Sequence, residues 1–204
     1  ARNQSPLTRL PGNTMIHEYF SRCLADLSAT YHLIYFDFDH FKPFNDRFGF
    51  RNGDRMILMF ADLMKQAGFS ENRFIGHIGG DDFFMGVKHG QTEVLIPEME
   101  SLAARFKKNA ESFYDPQTVK NGFMAITDRQ DIERLIPLMS VSTVILELPE
   151  NTDRLCSIED AGNMIAQLKS EAKASAGRII HASLPDLLAA PASRPHQVSL
   201  SAVG

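Results

Sequence analysis

Two pairs of carboxylates stand at the ends of strand-like runs, where their type and spacing could do metal chemistry. Asp37 and Asp39 close the run Leu33-Ile-Tyr-Phe-Asp-Phe-Asp39. Asp81 and Asp82 follow Gly79 and Gly80 inside Phe74-Ile-Gly-His-Ile-Gly-Gly-Asp-Asp-Phe-Phe-Met-Gly-Val87. In that second stretch apolar alternation meets a glycine pair, then the two acids, then apolar residues again. This is the pattern of a β-hairpin with carboxylates at its tip. The glycines permit positive φ and let another group approach the backbone closely. Adjacent carboxylates at a tight tip repel each other, so a cation is expected there. If the two runs are neighbouring strands, Asp37 and Asp81 could share a divalent metal. Gly-Gly-Asp-Asp is also good turn chemistry for a solvated hairpin tip; Asp37 upstream is what favours the metal.

The elements that must position these acids can be read from periodicity. Ser5 to Gly12 is a turn-rich entry, and Asn13 is a candidate N-cap. Met15, Ile16, Tyr19, Phe20, Cys23, Leu24 and Leu27 then recur at helical spacing. Residues 31–39 are apolar on both faces, as in a central strand. A short helix or turn over Phe41–Gly49 precedes a helix from about Arg51 that buries Met56, Ile57, Phe60, Ala61 and Met64. Strands near 73–78 and 83–88 make the hairpin, and a third helix covers Thr92 to about Asn109. Residues 113–135 resemble an inserted hairpin turning at Asp128–Asp131, either a docking arm or a plain surface ribbon. Met139–Leu148 is a β-branched strand. Ser157-Ile-Glu-Asp160 is a capping box opening a helix to about Ala174. Gly177–His181 returns as a strand, and residues 183–204, rich in Ala, Pro and Ser, are expected to be a flexible tail or linker. The order βααββαβ with an antiparallel hairpin argues an α+β fold rather than a doubly wound sheet.

Bulk properties narrow the classes. A chain of 204 residues, 44% hydrophobic and 23% charged, suits one domain, here residues 1–182, with a real core. The net charge of −4 argues against a generic nucleic-acid binder, while leaving nucleotide binding through local cations open. Cys23 and Cys156 are isolated, and Cys23 falls on an apolar helix face, which fits core packing and a reducing, cytoplasmic setting. No apolar run approaches the ~18 residues that span a bilayer, so no membrane contact is expected. An opening Ala rather than Met fits a piece of a longer protein with sensory, catalytic or anchoring parts elsewhere.

The motifs resemble a known family. Gly79-Gly-Asp-Asp-Phe83 is similar to the loop that names the GGDEF domains, the diguanylate cyclases. Asp37-Phe-Asp-His-Phe-Lys-Pro-Phe-Asn-Asp-Arg-Phe-Gly-Phe-Arg-Asn-Gly-Asp54 is similar to that family's D-x-D-x-F-K-x-x-N-D-x-x-G-x-x-x-G-D segment. Both have the family's order and internal spacing, and the likeness covers roughly residues 5 to 180. It implies a ferredoxin-like, palm-type antiparallel sheet flanked by helices, as in nucleotide cyclases and some polymerases. It also implies condensation of two GTP molecules into cyclic di-GMP. Mg²⁺ or Mn²⁺ would be held by Asp37, Asp81 and the Phe38 carbonyl, because hard oxygen ligands that leave room for phosphate and water suit such ions. Asp81 would also take the 3′-proton, with Asp82 the second acid of the catalytic loop and Lys42 where the phosphates would pass. Asn45 and Asp54 would read guanine, Gly79 and Gly80 would let the nucleotide approach, and Lys173 and Arg178 would clamp phosphates. The implied partners are GTP, a second copy of the domain and other domains of the same chain.

Several residues depart from the pattern. Asp82 stands where the family usually has Glu, shortening a carboxylate by one methylene. The A-K-x-x-G-R-N pattern survives only as Ala172-Lys-Ala-Ser-Ala-Gly-Arg178, and Lys169 competes for the same phosphate role. The strand Ser140–Val144 lacks an expected glycine, and the 113–135 segment is longer than usual. The family's R-x-x-D product site is replaced by Ser70-Glu-Asn-Arg73, so inhibition by that route is not expected. These departures favour a second reading, a catalytically weak module that binds GTP and regulates an attached domain such as a phosphodiesterase. Other readings of the acids fail. An EF-hand would need Gly and Glu where Lys42 and Phe48 stand, and no P-loop or GxGxxG is present. His77, beside the loop, suits a packed or capping role better than a ligand role.

Overall fold

The computed structural model describes residues 3–68, 70–127 and 130–189. Its elements run α1 (Asn13–Ala25), β1 (Tyr31–Asp39), α2 (Phe41–Phe48), α3 (Phe50–Ala67), β2 (Arg73–Gly79), β3 (Asp82–Lys88) and α4 (Thr92–Ala110). They continue through α5 (Pro116–Asn121), β4 (Phe123–Thr127), β5 (Glu133–Pro137), β6 (Ser140–Leu148), α6 (Ile158–Ala174), β7 (Ile179–Ser183) and α7 (Leu184–Ala189).

β1 lies at the centre of a five-stranded sheet ordered β2-β3-β1-β6-β7. It is antiparallel to β3 and β6, while β7 joins the far edge parallel to β6 after the α6 crossover. The fold is α+β, with helices on both faces of a mainly antiparallel sheet. Being central, β1 must be apolar on both faces, and its two faces bury into different layers. Ile34, Phe36 and Phe38 pack with Met56 and Phe60 of α3 and Met99 and Phe106 of α4. Tyr31 and Leu33 pack on the other side with Ile16 and Phe20 of α1 and Ile165 of α6. The first layer is unusually aromatic: Phe38 stacks on Phe106 at 4.7 Å between ring centroids, and Phe60 meets Phe83 edge-on at 4.8 Å. Each such buried side chain contributes about 1.5–3 kcal/mol, so this layer makes the sheet end beneath the acids a rigid support.

Three local expectations need correction. Asn13 is the first residue of α1, and the N-cap position falls on Gly12, which has no side chain to cap with. The 113–135 stretch is only partly a hairpin. A 3₁₀ turn at Glu111–Phe113 and helix α5 occupy its first half, and the ribbon is β4 paired with β5. Asp115 caps α5 by accepting from the Thr118 N–H at 2.9 Å, with Pro116 at the first helical position. Asp-Pro was thus a helix start. The proposed turn at Asp128–Asp131 lies partly outside the described residues. Finally, the chain does not loosen at 183. Leu184 is fully buried and Leu187 packs against the buried cluster of Val144, Leu168 and Ala172, so α7 is held to the sheet by apolar contact. The rest of the expected tail, 190–204, lies outside the described residues.

Candidate active site

Period-two alternation separates the acids from the aromatics. Phe36 and Phe38 enter the α3/α4 layer, so Asp37 and Asp39 emerge on the α6 side of the sheet. Strand register then gathers their neighbours. Asp37 pairs across to Asp82 on β3 and Ser142 on β6, and Asp39 lies opposite Ser140. Asp81 closes the turn, its carbonyl accepting the Phe38 N–H at 3.2 Å. The turn requires Gly80 at φ +52°, a left-handed conformation that side chains with a Cβ disfavour. A Cβ on Gly79 or Gly80 would meet nothing within 4 Å, so the backbone here is open to a ligand.

Cations arrive from α6. Lys169 and Lys173, one turn apart, share a helix face. Lys169 Nζ lies 3.2 Å from Asp37 Oδ2 and 2.5 Å from Asp82 Oδ1. Lys173 Nζ lies 3.0 Å from Asp37 Oδ1, 3.1 Å from the Phe38 carbonyl and 3.5 Å from Asp39 Oδ1. Arg178 Nη1 is 3.4 Å from Asp39 Oδ1 and donates to the Lys173 carbonyl at 3.0 Å. Asp39 is buried and is also held by the Ser140 and Ser142 hydroxyls, each donating at 2.7 Å.

The electrostatics follow from this crowding. Burial, and then the charges of Asp37 and Asp82, push the Asp81 carboxyl above its ordinary range, only partly offset by its own backbone and Lys173. For Lys169 burial alone would lower the ammonium's pKa. Its bond to Asp82 and the charges of Asp82 and Asp37 outweigh that and raise it.

The donor set fits a small hard cation. Asp37 Oδ1 and the Phe38 carbonyl converge on one positive centre, the Lys173 ammonium. Among the described residues no group of three His, Cys, Asp or Glu side chains could hold a metal by itself. Two carboxylates and a carbonyl instead suit an ion that completes its shell with phosphate and water, as Mg²⁺ and Mn²⁺ do.

The expected base-reading residues lie elsewhere, on a ledge where Gly49 links α2 to α3. Asn45 Oδ1 is buried and has no hydrogen-bond partner. A Cβ on Gly53 would come within 1.9 Å of it, so the glycine makes the space Asn45 occupies. Asp54, the residue after Gly53 on α3, is exposed. Lys42 is not drawn to the acids: it pairs with Asp46 at 3.1 Å, its side chain 86% exposed. Arg73 is likewise committed, forming a two-pronged pair with Glu98 and donating to the Ala67 carbonyl.

His77 is a structural support. It is buried, stacks on Phe83 at 4.4 Å, and bonds through Nε2 to the Gly80 carbonyl at 2.8 Å. A carbonyl only accepts, so Nε2 carries the proton and Nδ1 accepts from the Ser5 and Thr8 hydroxyls at 2.7 and 3.1 Å. The entry segment is thereby tied to the residue just before Asp81.

Sequence reasoning placed Ser140 and Ser142 on a strand but gave neither of them, nor Asp39, a role at the site. The Asp-x-Asp spacing marked Asp39 as sharing a face with Asp37, but the serines needed the β1–β6 register.

The sequence profile described as "Diguanylate cyclase, GGDEF domain" matches residues 3–139. The chain belongs to the GGDEF family. A diguanylate cyclase from Vibrio cholerae is 32% identical over 73 residues, 36% of this chain but only 22% of that relative's length. Among solved structures, the GGDEF domain of DgcB from Caulobacter crescentus, in complex with c-di-GMP, superposes with a TM-score of 0.64 at 20% identity, covering 89% of this chain and 96% of that one. The FimX GGDEF domain from Pseudomonas aeruginosa gives 0.60 at 16% identity, covering 88% and 99%. At such identities the superpositions speak for the fold of this GGDEF domain, including its cyclase-like palm.

Proposed function

We propose that this GGDEF domain condenses two GTP molecules into cyclic di-GMP with a divalent metal at Asp37, Asp81 and the Phe38 carbonyl. The observation that carries the proposal is the convergence of Asp37 Oδ1 and the Phe38 carbonyl on one cation, 3.0 and 3.1 Å away, beside the Asp81 turn. Bound there, Mg²⁺ or Mn²⁺ would neutralise the triphosphate and acidify the attacking hydroxyl.

The chain's own groups divide the remaining work. In each half-reaction a 3′-oxygen forms a bond to an α-phosphorus, the α–β phosphoanhydride bond breaks, and pyrophosphate leaves. Asp81, whose raised affinity for a proton suits a base, takes the hydroxyl proton. Lys173, Lys169 and Arg178 turn from carboxylates to phosphates, and Lys42 would leave its exposed pair with Asp46 to join them. Asn45 and Asp54 answer the guanine edge: Asp54 accepts from N1–H and N2–H₂, and adenine would leave those acceptors unpaired. One domain holds one GTP, so turnover needs two copies facing each other. We place this chemistry in the cytoplasm, within a longer signalling chain. Among the described residues no helix is long and apolar enough to cross a membrane.

One observation favours a second reading. Asp82, the shortened acid of the loop, is engaged by Lys169 at 2.5 Å, and an acid so held is poorly placed to reach a ligand. A module that binds GTP without turning it over, and regulates an attached domain, would look like this.

Incubation with GTP and Mg²⁺, followed by chromatography, separates the two. Cyclic di-GMP that disappears in Asp81→Asn supports the cyclase; guanine-selective binding without product supports the regulatory module. Product formed equally well by Asp81→Asn would refute the site as drawn.

A further inference from the structure

The oxygens that would hold a metal in this domain are already held. Lys173 Nζ contacts the same two atoms, Asp37 Oδ1 and the Phe38 carbonyl, and Lys169 Nζ bridges the other Asp37 oxygen to Asp82. We propose that Lys169 and Lys173 are resident counter-ions that a divalent metal must displace, so that metal and triphosphate enter this corner together. The inference rests on the metal role of Asp37 and Asp81 proposed above.

A divalent metal held by both Asp37 Oδ1 and the Phe38 carbonyl would compete with the Lys173 ammonium for the space between those two oxygens. Nor is the Lys169 pair a loose surface contact. Its side chain is 24% exposed and that of Asp37 17%, so the pair is screened less than one in open solvent. Pushing an ammonium off a partly buried carboxylate leaves it without a counter-charge unless a new anion is at hand. A triphosphate is such an anion. Lysine, with its compact charge on a flexible stem, can exchange carboxylate for phosphate without movement of the helix. Arg178 and the two serines remain on Asp39, so the strand end keeps its support when the lysines leave. Coupling of this kind is reciprocal: whatever nucleotide does for metal affinity, metal does for nucleotide affinity.

The test measures Mn²⁺ binding to the whole chain by electron paramagnetic resonance of the free ion, first without nucleotide. Lys169→Met should bind Mn²⁺ about five- to tenfold more tightly than the unaltered protein, within the usual range of couplings between sites. Lys169→Arg, which keeps the charge, should stay within about twofold. The methionine can rest in the open groove of about 390 Å³ lined by Ile16, Phe20, Tyr35 and Ile165, whose rim Lys169 forms. Lys173→Met gives a second reading with the same expected sign should the first variant fold poorly. Adding a non-hydrolysable GTP analogue should tighten Mn²⁺ binding to the unaltered protein and shrink the advantage of Lys169→Met. A lysine that only tethers α6 would leave Mn²⁺ affinity unchanged or weaker in both methionine variants, and that result overturns the inference. If Mn²⁺ binding is lost in Asp81→Asn yet indifferent to the lysines, the metal site stands and the counter-ions fall. If Mn²⁺ binds nowhere, or indifferently to Asp81, both fall.

Discussion

The acidic corner and the Asn45/Asp54 ledge satisfy their polar atoms in opposite ways. At the corner, Asp37, Asp39 and Asp82 all have cationic or hydroxyl partners from α6, Arg178 or β6. On the ledge, Asn45 Oδ1 is buried without a partner and Asp54 faces solvent. A ligand at the corner would have to exchange partners with the protein, whereas Asn45 Oδ1 has none to give up. The physical lesson concerns where selectivity and control can sit. Unpartnered groups discriminate, because the wrong ligand leaves them unsatisfied. Partnered charges gate, because something must take their counter-ions away.

The sharpest way to break this contrast is at the corner. Asp37→Ala removes the residue shared by both lysines and the proposed metal, and cyclic di-GMP production should fall by more than about 100-fold. Loss of outer-shell partners alone costs roughly 10–100-fold in metal affinity or activity. Steady-state assays should show the loss in kcat. On the ledge, Asp54→Ala should instead raise KM for GTP and cut the preference for GTP over ATP by at least about tenfold, with kcat nearly kept. Gly53→Ala should act in the same direction by displacing Asn45. Its effect on stability should be small, because the new methyl meets the end of a side chain rather than backbone.

A third change probes the support beneath the corner. Ser142→Ala takes one donor from the buried Asp39 carboxylate, whose Oδ1 keeps Lys173 and Arg178 nearby, and should cost about 0.5–1.5 kcal/mol in urea unfolding. The pH response is a finer probe. Burial lowers the pKa of His77 below its ordinary value of 6.5, with the Gly80 carbonyl and Asp82 opposing only in part. The native state then binds fewer protons than the unfolded chain. Stability is present above about pH 6.5 and is lost as pH falls through the folded pKa. Thermal melts should show this acid loss, and His77→Gln should reduce it. It should not vanish, because burial also lowers the pKa of His32 and His40. The smallest effect is expected outside both regions. Lys42→Ala breaks only an exposed pair one turn apart on α2 and should change stability by less than about 0.5 kcal/mol.

Much of this molecule follows from one-dimensional pattern. The central strand, the helix faces under Met56–Met64 and Leu95–Phe106, the Ser157 cap and the Gly-Gly turn are local: alternation, 3.6-residue spacing and capping chemistry depend on neighbours a few residues away. The same is true of the two motifs that mark the family and of the acids they contain. What tertiary structure alone decided is which charge meets which. Lys169 and Lys173 lie more than 130 residues from Asp37 in the chain, and nothing in their own helix says that both reach one carboxylate. The β1–β6 register brought Ser140 and Ser142 to Asp39, and the burial of Leu184 turned an expected tail into helix. Helix and strand periods are set by the backbone of a few residues, whereas partners across a sheet are chosen by register, where a slip of one residue would reverse every face.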